Sequence, residues 1–131
     1  MPADRDDVEP DQLAGAPHPR ERTDFFGHAE AERSFLDAIE GSRLHHAWLI
    51  GGPQGVGKAT LAYRTARHLL AYGGARRRSG SLHVDPDHPA ARRVAARSHP
   101  DLAVVRRGLR TDGKGYSADI RVADVRRALD L

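Results

Sequence analysis

The sequence predicts an α/β fold, a parallel sheet flanked by helices and built around a phosphate-binding loop. Three observations carry that expectation. "LIGGPQGVGKATLAYRTARHLL" (49–70) places a Gly-rich turn between a short apolar run and a helical pattern. "DLAVVRR" (101–107) is a second short apolar run. Helical periodicities precede, separate and follow these runs, and strands alternating with helices imply a parallel sheet with helices on its faces.

The elements follow in order. Residues 1–24 carry seven acids, three Arg and four Pro with few apolar side chains. Such a segment buries too little surface to offset its ordering entropy, so a disordered acidic tail is expected, with the folded domain spanning 25–131. In "GHAEAERSFLDAIEGSR" (27–43), Ala31, Phe35, Ala38 and Ile39 share one helix face, and Gly41 marks the end. "HAWLIG" (46–51) is too short for a helix and suits a buried parallel strand. Lys58 to Tyr72 repeats the helical spacing through Ala62, Ala66, Leu69 and Leu70. "GGARRRSGSLHVDPDHP" (73–89) has the glycine, proline and charge of a loop. A short helix is expected within 88–99, a strand at 101–107 and a polar, Gly-rich connection at 108–119. Val122, Val125 and Leu129 then open a last helix within 120–131. Two or three strands bury little, so the expectation is a truncated domain, poorly stable by itself.

Gly52-Pro-Gln-Gly-Val-Gly57-Lys58 fits G-x-x-x-x-G-K, and its context of apolar run before and helix after is the one that gives the motif meaning. Gly52, Gly55 and Gly57 allow successive backbone N–H groups to approach and surround a phosphate. A helix starting near Gly57 aims free N–H groups and the positive end of its dipole at the same anion. Lys58 adds a flexible point charge for outer phosphates. Ala59 stands where working loops of this type carry the hydroxyl that coordinates Mg²⁺. Thr60 has a hydroxyl, but one helical residue turns a side chain by about 100°, so it is expected to point elsewhere. Gly52, Gly55, Gly57, Lys58, Ala59 and Thr60 are the candidate nucleotide-binding residues. ATP in a weak or vestigial site is the expected cofactor, and Mg²⁺ held through water stays open.

Composition narrows the remaining choices. The net charge of +3 covers a net −4 over residues 1–24 and a net +8 over residues 64–110, and Arg outnumbers Lys 19 to two. A basic middle of this kind suits nucleic acid or an acidic partner, or is a solvated surface. The aromatics, three Phe, three Tyr and one Trp, do not interleave with the Arg run, which argues against a stacking platform for single strands. The absence of Cys excludes disulfides, thiol catalysis and Cys-ligated zinc. "HVDPDH" (83–88) has metal-ligand residue types, but its Pro and local acids favour a turn. No Ser/His/Asp spacing argues for a hydrolase. No apolar run approaches a membrane span and no signal sequence opens the chain, so no membrane partner and a cytoplasmic location are expected.

Four stretches, "FFGHAEAERSFLDAI", "RLHHAWLIGGPQGVGKATLAYRTARHLL", "SHPDLAVVRR" and "IRVADVRRALDL", together resemble the N-terminal part of the delta-prime subunits of bacterial DNA polymerase III clamp loaders. The resemblance covers roughly residues 25–131 and is looser over 73–97. It implies an AAA+-like P-loop NTPase fold. It also implies a place in a hetero-pentameric ring with other clamp-loader subunits, acting on the sliding clamp and primed DNA through that complex. Delta-prime subunits often carry altered nucleotide sites, which agrees with Ala59. Carried over, Gly52, Gly55, Gly57 and Lys58 are the phosphate loop, and Gly27 and His28 match the segment near the adenine pocket. The family's zinc-binding Cys cluster has no counterpart; "GGARRRSGSLHVDPDHP" occupies its place. The expected role is therefore clamp-loader subunit with a degenerate nucleotide site. The competing expectations are an ATP-hydrolysing motor-type AAA+ subunit and an unrelated P-loop kinase, both disfavoured by Ala59 or by missing downstream residues.

Overall fold

The computed structural model describes residues 8–73 and 80–130. Four helices stand in it: α1 (Ala29–Glu40), α2 (Lys58–Tyr72), α3 (Pro89–Ala95) and α4 (Val122–Leu129). None is long and apolar enough to cross a membrane. The described residues form two compact units, one within Pro19–His99 and one within Met1–His18 and Pro100–Leu131.

In the 19–99 unit, α1 forms where the periodicity places it. Glu30 and Glu32 in its first turn complement the positive end of the dipole, and Gly41 closes it with an N–H bond to the Asp37 carbonyl at 2.9 Å. Its buried residues are Phe35 and Leu36, with Ala31 and Ile39 packed beside them. Phe35, Leu36, Leu61 and Leu82 make the core cluster, and Phe25 and Ile50 flank it. Trp48 lies against Phe35 with ring centroids 4.3 Å apart.

The bounds of α2 coincide with the expected helix, but its buried face does not. Leu61, Tyr63, Arg64, Thr65, Arg67 and His68 are buried, whereas Ala62 is exposed and Ala66, Leu69 and Leu70 are half-buried. The reason is that Arg64 and Arg67 find acceptors inside the fold, so the inward face is partly polar. α3 packs against α2. It starts on Pro89, whose missing N–H costs nothing at a first helical position, and the His88 Nδ1 caps it by accepting from the Ala90 N–H at 3.1 Å. Tyr72 of α2 meets His88 edge-on, with centroids 5.7 Å apart.

No parallel sheet is evident among the described residues. Among the described residues 46–51 and 101–107 carry no strand ladder, and the one isolated backbone bridge joins Leu109 to Tyr116 in antiparallel sense. A strand exists through the partner that takes up its N–H and C=O groups. Leu49, expected inside a buried strand, is 98% exposed.

In the other unit, the polar connection 108–119 forms a small hairpin. The Arg110 N–H bonds the Gly115 carbonyl at 2.9 Å and the Ser117 N–H bonds the Gly108 carbonyl at 2.8 Å. Residues 1–7 of the expected acidic tail lie outside the described residues. Residues 8–18 make turns and carry a buried His18, 2% exposed, whose Nε2 stands 2.9 Å from Asp11 Oδ1 and 3.3 Å from Glu9 Oε2. α4 presents Val122, Val125 and Leu129 at the expected spacing, all exposed.

Candidate functional site

The loop before α2 is shaped by its glycines. Gly52, Gly55 and Gly57 have φ of 150°, 79° and 105°. Gly57 is the N-cap of α2, and at its φ an L side chain is strained. The helix proper starts with the Leu61 N–H on the Gly57 carbonyl at 3.0 Å. Gly57 offers no capping side chain and no acid stands in the first turn. The N-terminus of this 15-residue helix thus has neither a capping side chain nor a first-turn acid to complement its N–H groups and dipole. Gly57→Ala is expected to cost about 1–2 kcal/mol by forcing a Cβ into the left-handed region. Urea unfolding, with the midpoint unmoved as the contrary result, checks this.

Lys58 folds back over the loop. Its Nζ donates to the Gly52 carbonyl at 2.6 Å and to the Pro53 carbonyl at 2.9 Å. The ammonium therefore stands at the loop's own rim, and its Cδ lies 3.9 Å from where a Cβ on Gly52 would be. Ala59 and Thr60 follow as the next two residues of α2, both half-buried. The cradle suits the outer oxygens of a polyphosphate: backbone donors, a helix terminus and one mobile cation. It does not suit a directly held Mg²⁺, because Ala59 offers no oxygen at the position next to the lysine.

The remaining residues picked out from the sequence take structural places. Gly27 and His28, with φ of 72° and 54°, form the entry to α1, and the His28 and Phe25 rings are 6.2 Å apart. His45 and His46 are exposed, and His45 meets Trp48 edge-on. In "HVDPDH", the Asp85 carboxylate accepts the Asp87 N–H at 2.8 Å, the Asp85 carbonyl accepts the His88 N–H at 2.9 Å, and His88 caps α3. These bonds make a turn and a helix start, as the Pro and local acids suggest.

Two constellations were not visible in the sequence. Glu9, Asp11 and His18 bring three ligand-type atoms within 4.8 Å of one another. The guanidinium of Arg106 bonds both Glu9 and Asp11, so the cluster is an ion-pair network in which a cation is already supplied by the chain. Their separation of 95 or more residues from Arg106 leaves no local sequence signal. The second is the grip of Arg64 and Arg67 on the segment before α1. Arg67, 4% exposed, donates to the Arg20 and Arg22 carbonyls, and Arg64 donates to the Thr23 carbonyl and to Glu32. Burial, and then the neighbouring Arg64 charge, lowers the Arg67 pKa from its ordinary value.

The sequence model of the family described as DNA polymerase III, delta subunit, matches residues 27–130. Neither a curated protein nor a solved structure matches significantly. The matched region takes in all four helices and the glycine turn that precedes α2. The chain belongs to the DNA polymerase III delta subunit family, a family of clamp-loader subunits in DNA replication.

Proposed function

We propose that the chain acts as a delta-prime-like subunit of the clamp loader, with a loop that accepts polyphosphate and does not turn over ATP. The observation that carries this is the pair Lys58-Ala59 at the N-terminus of α2, behind three glycines with positive φ. The first half of that pair keeps the anion site; the second removes the metal ligand. ATP would be held by the backbone of Gly52, Gly55 and Gly57, by the first-turn N–H groups of Lys58, Ala59 and Thr60, and by the Lys58 ammonium. The chemistry ATP supplies when bound is charge for a binding contact, not a reacting phosphoryl group.

The proposal includes the AAA+-like α/β architecture, with 46–51 and 101–107 as strands of a parallel sheet. The exposed apolar side chains Leu49 and Val104 support it, because they suit a sheet interior better than water. In the same proposal the subunit stands in a hetero-pentamer with other clamp-loader subunits in the cytoplasm. It reaches the sliding clamp and primed DNA through that complex. The test is reconstitution with the other clamp-loader subunits of its own source, followed by light scattering on the eluted complex. Entry of the chain into one defined assembly is expected. A chain that elutes apart from them at micromolar concentrations, and hydrolyses ATP alone, rules the proposal out.

A further inference from the structure

Residues 20–25, which lead into α1, form a strap held by two side chains of α2. Arg67 reaches the Arg20 carbonyl at 2.7 Å and the Arg22 carbonyl at 2.5 Å. Three residues earlier on α2, Arg64 reaches the Thr23 carbonyl through Nη1 at 3.1 Å. Its Nε donates to Glu32 Oε1, also at 3.1 Å, and that same oxygen accepts the Leu82 N–H at 3.2 Å. The Arg64 guanidinium also lies 5.7 Å from the centroid of the Phe25 ring, within cation–π range. Phe25 packs on the core, and its Cε2 is 3.9 Å from where a Cβ on Gly57 would stand.

These residues stand in one line from the strap to the glycine loop: the Thr23 carbonyl bonded to Arg64, the Arg64 guanidinium over the Phe25 ring, and that ring bordering the space where a Gly57 side chain would start. The line is physically demanding. Arg64 and Arg67 are both buried, and two guanidinium groups on one helix face repel. The Glu32 carboxylate of α1 offsets part of that cost, and the strap carbonyls offset the rest only while the strap is in place. Releasing the strap strips Arg67 of its two carbonyls, leaves Arg64 with Glu32 alone and takes Phe25 away from the N-cap of α2.

We propose that Arg64 is a positioning residue for the phosphate loop: by fixing the strap and seating Phe25 against Gly57, it couples the loop's affinity for polyphosphate to the order of residues 20–25. The inference rests on the anion-binding role proposed for the loop. Coupling is reciprocal, so a bound anion must tighten the strap as much as the strap favours the anion.

The strap contains its own reporter. Trypsin cuts after Arg20 and Arg22, at the two residues whose carbonyls Arg67 holds, so cleavage there requires the strap to open. The experiment measures tripolyphosphate binding by calorimetry and, by mass spectrometry, the rate of cleavage at Arg20–Glu21 and Arg22–Thr23, with the exposed Arg110 site as internal control. It is run on the full chain, on Arg64→Gln and on Phe25→Leu. Phe25→Leu keeps the Arg64–Glu32 pair and guards against a variant that only unfolds. In the unmodified chain, tripolyphosphate is expected to slow cleavage at the two strap sites and not at Arg110. Both variants are expected to bind about tenfold more weakly, within the usual range of coupling between sites, and to lose the protection. Arg64→Lys, which keeps the charge but not the planar fork, is expected to recover part of both. An unmodified chain that binds no tripolyphosphate rejects the anion-site role and this coupling with it. Binding that persists with equal affinity in Phe25→Leu and Arg64→Gln, or strap cleavage indifferent to tripolyphosphate, rejects the positioning role alone.

Discussion

Lys58→Ala is expected to lower the affinity of the chain for ATP by about 10- to 100-fold, and Ala59→Thr to leave affinity without Mg²⁺ unchanged while making it rise when Mg²⁺ is added. The first effect follows from a charge-assisted bond, which contributes about 1.5–3 kcal/mol. Lys58 stands at the rim of the loop, its Nζ on the Gly52 and Pro53 carbonyls at 2.6 and 2.9 Å. The second effect follows from restoring a side-chain oxygen at the position next to the lysine. Charge neutralisation by a bound metal is a large part of phosphoryl transfer, so the unmodified chain should show no Mg²⁺-dependent hydrolysis. Nucleotide titration with and without Mg²⁺, beside a steady-state hydrolysis assay, reads all three. Sustained Mg²⁺-dependent hydrolysis by the unmodified chain, lost in Lys58→Ala, would falsify the proposal that Ala59 disables turnover. Because Lys58 also ties the loop to itself, a thermal melt of Lys58→Ala separates lost binding from lost structure.

How far the sequence reaches is clearest in α2. Its start at Lys58 and its end at Tyr72 could be read from the glycines on either side and from the spacing between them, since both signals are local. Its inward face could not, because that depends on carbonyls at Arg20, Arg22 and Thr23, more than 40 residues away in the chain. Hydrophobic periodicity assumes that buried means apolar, and Arg64 and Arg67 break the assumption by carrying their own long-range acceptors. The turn before α2 was legible for the same reason as the helix bounds: Gly52, Gly55 and Gly57 lie close together in the sequence. The Glu9–Asp11–His18–Arg106 network was not, for it joins residues from both ends of the sequence. Where the fold depends on partners, as for 46–51 and 101–107, β-type residues could be recognised, but the pairing that makes a strand could not.

Leu82 is the other place where local reading falls short, and it carries the largest expected stability effect. The stretch 73–89 reads as a loop by composition, and residues 74–79 lie outside the described residues. Yet Leu82 is 0% exposed and sits in the core cluster with Phe35, Leu36 and Leu61, while Val84 two residues on is also buried. Its backbone N–H is bonded to Glu32 Oε1, so the segment is fixed at both main chain and side chain. Leu82→Ala removes a fully buried branched side chain from between α1 and α2 and leaves a cavity. A cost of about 2–5 kcal/mol is expected, which is a large fraction of a small domain's total stability. Leu49→Ala tests the proposed sheet: at a side chain in open solvent the same substitution changes stability by no more than about 0.5 kcal/mol, whereas a sheet-interior Leu49 costs as much as Leu82. Chemical denaturation of both variants decides more than packing. A Leu49→Ala cost as large as that of Leu82→Ala would mean that Leu49 is covered in solution, as a sheet-interior position requires. A Leu82→Ala cost near zero would mean that the 80–84 segment is not part of the core at all.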